Sequence, residues 1–319
     1  MKTRKRKMKK RRLTLLTTAL LILCLASAAC AETTVAAPFP AGSAEAALTA
    51  RIAETLGADY VPADENASTG SDGRSAAANR MLEEPETLLC DTQAALMAAL
   101  QGYTKEDLRT AMTPVCRIAR SPLYLIMDAA AAGEKGIDGS ESFLAYLAEN
   151  EYDDSLLLAR HVEADPVDRA VTFLSNELPL LTDVFWPADI PDALKNGEAA
   201  LAVCTEAELC AAEPGDLLVL FTLGSERTET HPEVPALTES GLEASPEPAL
   251  YLMAKSGTDS GLLEEAARKI SEADLSTDCL AAGYFFNPLS GDALAAEISD
   301  VFADYVDYMT AEGLYFYEQ

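Results

Sequence analysis

Histidine is nearly absent from this chain, with only His161 and His231 among 319 residues, and that scarcity narrows its chemistry. A Ser, His and Asp triad would have to recruit one of the two, no GxSxG elbow occurs near a strand, and His231 lies in a proline-rich stretch. HExxH, P-loop and GxGxxG patterns are missing as well. A zinc site lacks both the histidines and the CxxC spacing it would use. Nothing nominates a pair of acids for glycoside hydrolysis. The chain reads as a protein that is not an enzyme, with no cofactor and no metal.

Basic residues are almost as scarce once the beginning of the chain is set aside. Nine of the 24 Lys and Arg residues fall between Lys2 and Arg12, and none of the 52 acidic residues falls before Glu32, so the remainder carries a formal charge of −37. Nucleic acid is excluded as a partner by that balance. Acidity of this size keeps a protein soluble, and it also favours a cationic or neutral ligand over an anionic surface.

Long apolar runs are missing everywhere except from Leu13 to Leu25, which follows the nine basic residues and leads into the small residues Ala26 to Ala29. That layout is a secretory signal, residues 1–31, so the chain is expected to be exported to the periplasm or cell surface. A retained anchor would need roughly 20 apolar residues, more than the run supplies without its Ser and Thr. Two readings of the cut stay open. Ser27-Ala28-Ala29-Cys30 resembles a lipobox, which would make Cys30 a lipidation site, whereas Ala29-Cys30-Ala31 fits ordinary cleavage before Glu32. Of the later cysteines, Cys204 and Cys210 lie near enough in sequence to close a small disulfide loop, and buried thiols are expected for Cys90, Cys116 and Cys279.

What is present is an alternation of short apolar strands with amphipathic helices, the pattern of an α/β fold. Strands are expected at residues 33–37, 60–61, 87–90, 115–120, 123–127, 155–159, 183–186, 199–204 and 249–254. Helices are expected at 44–56, 75–81, 92–100, 142–148, 166–178, 191–196, 260–271 and 292–309. Ser121-Pro122 breaks two strand-like runs and marks a crossing between lobes. Residues 225–248 are rich in Pro, Glu, Ser and Thr and read as a surface crossover with no packed element. In the last helix a Phe and Tyr stripe reads as core. Gly42 and Ser43 lie between the first strand and its helix, where unpaired backbone N–H groups and the helix dipole suit an anion.

Several segments, taken in order, resemble the substrate-binding receptors of tripartite tricarboxylate transporters, the Bug family. VAAPFPAGSAEA followed by ARIAETLG is similar to that family's first strand, turn and helix. TGSDGRSAAANRMLEEPETLLC resembles its Gly-rich loop, helix and strand, and PVCRIARSPLYLIMD its crossing strand. TDVFWPADIPDALKNGEAALAVCT and HPEVPALTESGL are similar to two later signatures. The resemblance implies a two-lobed periplasmic-binding-protein (Venus-flytrap) fold. Residues 32–120 would form the first lobe, 121–212 the second, and 213–319 would return to the first.

It also implies a receptor, likewise expected to be monomeric, that closes on a small carboxylate or related metabolite and hands it to the membrane subunits of a secondary transporter. An exported sensory or structural relic of the same fold is the alternative. Carried over by position, the ligand-facing residues are Phe39, Pro40, Ala41, Gly42 and Ser43, with Thr92 and Gln93, and from the second lobe Asp183, Phe185, Trp186 and Asp189. Two departures fall on the chemistry. Ala46, beside Glu45, stands where the family has an Asp, and LLLARHVEADP (156–166) replaces a Gly- and Ser-rich loop. Arg160 and His161 either supply the lost donors or lie on a solvated edge.

Overall fold

The computed structural model describes residues 33–62, 71–84, 86–162, 165–212, 215–245 and 247–314. The signal segment 1–31, Cys30 and the start of the Gly-rich loop at Thr69 and Gly70 lie outside them. In chain order the elements are β1 (Thr34–Ala36), α1 (Ala44–Leu56), β2 (Asp59–Val61), α2 (Ser71–Glu83), β3 (Thr87–Thr92), α3 (Ala94–Leu100), α4 (Leu108–Ala111), β4 (Met112–Arg120) and β5 (Leu123–Asp128). These are followed by α5 (Ala129–Lys135), α6 (Ser140–Glu149), β6 (Leu158–His161), α7 (Pro166–Glu177), β7 (Thr182–Phe185), α8 (Ile190–Asn196), β8 (Leu201–Thr205) and α9 (Glu206–Ala211). The chain closes with β9 (Leu217–Thr222), β10 (Ala249–Lys255), α10 (Ser260–Glu272), α11 (Ser276–Ala281), β11 (Phe285–Leu289) and α12 (Gly291–Ala311).

The strands form two mixed sheets, one of six in the order β11-β4-β10-β3-β1-β2 and one of five in the order β7-β6-β8-β5-β9. Alternation along each strand divides its side chains between two faces, so each sheet has two cores. In the first sheet Leu88, Cys90, Leu250 and Leu252 meet Leu48 and Ile52 of α1 with Ile270 of α10. On its other face Leu89, Tyr251 and Met253 meet Met81, Leu96 and the Leu294, Ile298, Tyr305 and Tyr308 stripe of α12. The second sheet buries Leu125, Met127 and Leu201 under α6 and α7 on one side. On the other, Tyr124, Ile126, Ala202 and Cys204 face the short α8.

Several elements differ from expectation. Residues 154–156 form a short 3-10 turn capped by Asp153, so β6 begins only at Leu158 and carries Arg160 and His161 inside the strand. Within 156–166 the stretch Leu158–His161 is therefore strand, and Pro166 already opens α7. Two strands lie where no element is expected. LLVLFT is β9, paired antiparallel with β5 and so part of the second sheet, beyond residue 212. FFNPL is β11, an edge strand beside β4, where the missing N–H of Pro288 is tolerated.

The acidic crossover is not wholly superficial either. Ala236 and Leu237 are fully buried, Leu237 within the core of the second sheet, and Glu239 accepts from the Ala236 N–H. Nor do Cys204 and Cys210 form a disulfide. Cys204 points from β8 into the core under α8, whereas Cys210 is exposed and its thiol donates to Glu206 at 3.5 Å.

Candidate functional site

Helix α1 is fixed at both ends by local chemistry. The Ser43 hydroxyl accepts from the Ala46 N–H at 3.1 Å, and Gly57 closes the helix in the left-handed conformation. Before it, Phe39 packs against the first-sheet core while Pro40, Ala41 and Gly42 are exposed. Gly42 has φ +86°, a conformation that side-chain-bearing residues rarely adopt, and the space around its Cα is open. The turn thus presents the start of a 13-residue helix to solvent. Ala46 is buried, so the first turn offers no carboxylate at that position.

Thr92 and Gln93 end β3. The Thr92 N–H donates to Asp91 Oδ1 at 2.7 Å. Gln93 is buried, its Oε1 accepting from Tyr305 at 3.0 Å and from the Ala249 N–H at 3.3 Å, and its Nε2 donating to the Glu247 carbonyl and to Tyr251. These bonds tie β3, β10 and α12 together. Gln93 also lines a cavity of about 240 Å³ with Arg120, Glu247, Tyr251 and Glu297.

In the second sheet Arg160 is held by two carboxylates. Its Nε and one terminal nitrogen meet Asp168 at 2.9 and 3.0 Å, and the same terminal nitrogen lies 2.7 Å from Glu312. Tyr308 donates to Asp168 as well. Burial pushes the Asp168 carboxyl above its ordinary range against the pull of Arg160 and Tyr308, while Asp168 and Glu312 hold the Arg160 guanidinium charged. Neither sequence reading of Arg160 anticipates these partners. The missed residues are Asp168, Tyr308 and Glu312, of which Asp168 alone is near in sequence.

His161 is buried, with Nδ1 2.7 Å from Asp165. Asp165 also caps α7, accepting from the Asp168 N–H at 2.8 Å, which explains the Asp165-Pro166 helix start. Burial disfavours the imidazolium, but Asp165, with smaller help from Glu208 and Asp168, outweighs it and raises the His161 pKa.

His161 pairs in register with Phe185 on the neighbouring parallel strand β7. Asp183 is exposed on that edge strand and accepts from the Val184 N–H, and Trp186 is 59% exposed, so it is not core. Asp189 stands at the start of α8 without a side-chain cap bond. The structure therefore places Phe39 to Ser43, Thr92 and Gln93 after parallel strands β1 and β3, and His161, Phe185 and Trp186 at the same ends of parallel strands β6 and β7. Such carboxyl ends are where open α/β sheets bind ligands.

No protein-family model matches the sequence. No curated protein matches it either. Solved structures do. A TctC solute-binding protein from Polaromonas, without ligand, is 17% identical, with TM-score 0.69 over 88% of this chain and 98% of that one. The periplasmic binding protein BugD is 16% identical, with TM-score 0.65 over 89% and 98%. MatC of Rhodopseudomonas palustris with bound malate is 19% identical, with TM-score 0.62 over 86% and 98%. At these identities the likeness is one of fold, and it is the two-lobed α/β fold that the sequence resemblance implies.

Proposed function

We propose that this protein is an exported solute receptor that captures a small organic acid and passes it to the membrane subunits of a tripartite tricarboxylate-type transporter. One observation carries the reading: the fold is shared over nearly the full length of solute-binding proteins, and of the residues inferred from sequence Phe39 to Ser43, Thr92, Gln93, His161, Phe185 and Trp186 lie at the carboxyl ends of parallel strands in the two sheets. Malate in MatC is an acid of the proposed class. The Ala44 and Glu45 N–H groups, in the first turn of α1, would meet one carboxylate, and binding would favour the closed population of the two lobes. The lobes proposed are residues 33–120 with 249–314, and 121–245. The protein acts as a monomer without chemistry of its own.

Thermal-shift screening against mono-, di- and tricarboxylates tests this. An acid at about 100 times its dissociation constant stabilises the fold by about 2.7 kcal/mol. Turnover of any candidate in place of stoichiometric binding contradicts the reading. The engagement of Arg160 by Asp168 and Glu312 favours the second reading, a relic that keeps the fold and has lost transport. A panel that shifts nothing would establish it.

A further inference from the structure

The face of the second sheet under α8 is incompletely covered, because α8 and α9 are short, with 7 and 6 residues. Between them lies a cavity of about 690 Å³, within the range of small-molecule sites. Ile126, Ile190, Leu194, Ala202 and Leu217 supply apolar walls. Among the described residues none of the lining comes from the first sheet or from the turn at Gly42, so the cavity belongs to the second sheet alone, and His161 is the residue it shares with the strand ends described above.

The polar lining is unbalanced. Asp192, Glu208 and Asp216 face the cavity with one lysine, Lys195. A fourth acid, Asp128, is committed to capping α5. Glu208 uses Oε2 on Thr205, leaving Oε1 without a partner among the described residues, and Asp192 and Asp216 have no side-chain partner among them. The His161 ring, 9% exposed, also lines the cavity. In the neutral tautomer whose Nδ1–H donates to Asp165, Nε2 is an acceptor without a hydrogen-bond partner among the described residues.

We infer that this cavity is a second binding site, for a small apolar cation: an aryl- or alkylamine whose body fills the apolar space and whose ammonium meets Glu208, Asp192 and Asp216. Asp192, Glu208 and Asp216 are exposed, so they meet the ammonium at the mouth of the cavity while the apolar walls take the body of the ligand. A carboxylate of the same shape would be repelled by the same groups.

Trp186, the single tryptophan, precedes Pro187 in the cavity wall and gives a local optical readout. The test is calorimetric titration of the purified protein at pH 8 with 2-phenylethylamine and, separately, with 3-phenylpropionate, followed in parallel by Trp186 emission. The amine is expected to bind with a dissociation constant of about 1 mM or tighter and to change that emission, with the carboxylate at least about tenfold weaker. Ala202→Phe, which fills the cavity, should abolish amine binding. Because that change is in the core, the paired exposed substitutions Asp192→Asn and Asp216→Asn provide the second variant and should weaken the amine about tenfold. Carboxylate binding that matches the amine's and is lost with it in Ala202→Phe, no amine binding at about 10 mM, or an unchanged amine affinity in the Asp192→Asn, Asp216→Asn protein overturns the inference.

Discussion

Arg160 grips Asp168 through two parallel hydrogen bonds, and through Glu312 and Tyr308 the pair joins β6 and α7 of the second sheet to the end of α12, which packs on the first. A guanidinium held by two carboxylates through Nε and one terminal nitrogen acts as a structural tie. Arg160→Ala leaves Asp168, 2% exposed, without its cation and with Tyr308 as its remaining side-chain donor. The expected loss is about 3 kcal/mol in urea unfolding, with ligand affinity unchanged. Unchanged stability with weakened affinity would reverse the assignment.

His161 gives the fold a pH dependence whose sign follows from its raised pKa. The Asp165 contact contributes in full below the unfolded value of about 6.5 and is lost as pH rises through the higher folded value. The stability difference between the protein and His161→Gln should therefore be largest under mildly acid conditions and shrink above neutrality, as read from unfolding midpoints across pH.

Thiol labelling checks the cysteines. Of the five that the structure describes, only Cys210 is exposed, so it alone should react with an alkylating reagent under native conditions. Burial and Glu206 raise its pKa, so its reaction should accelerate in alkaline buffer. Cys116 and Cys279, pushed up to about 12 mainly by burial, should react only on unfolding. Cys210→Ser should leave the melting temperature unchanged, since no disulfide is lost.

Tyr124 donates to the carboxylate of Glu206, which is 1% exposed and also accepts from Thr230. Tyr124→Phe removes a donor from that buried acid and is expected to cost about 1–3 kcal/mol, measured by urea unfolding.

Much of the architecture was legible because its signals are local. Ser43 and Gly57 bracket α1, Asp165-Pro166 starts α7, and Ser121-Pro122 separates β4 from β5, each within a few residues. The Tyr stripe of α12 was readable as core from its spacing. The partners of Arg160 were not, since Tyr308 and Glu312 lie some 150 residues away and only the fold brings them to β6. Asn287-Pro288 hid β11, because a break signal inside a strand is harmless only at a sheet edge, and edge position is a property of the assembled sheet. Trp186 carries no local sign that distinguishes core from surface, and it is exposed because β7 is the outermost strand.

The central claim is that a small organic acid docks at the turn before α1. Gly42 at φ +86° has open space around it, so Gly42→Val strains the backbone by about 1 kcal/mol and adds bulk to the turn before α1 with nothing within 4 Å of the new Cβ. Calorimetric titration of the best-shifting carboxylate into the protein and into Gly42→Val is the direct measurement. The account predicts one site per chain, an acid recovered unaltered, and binding lost in a variant that remains folded. Undiminished binding in folded Gly42→Val would contradict it.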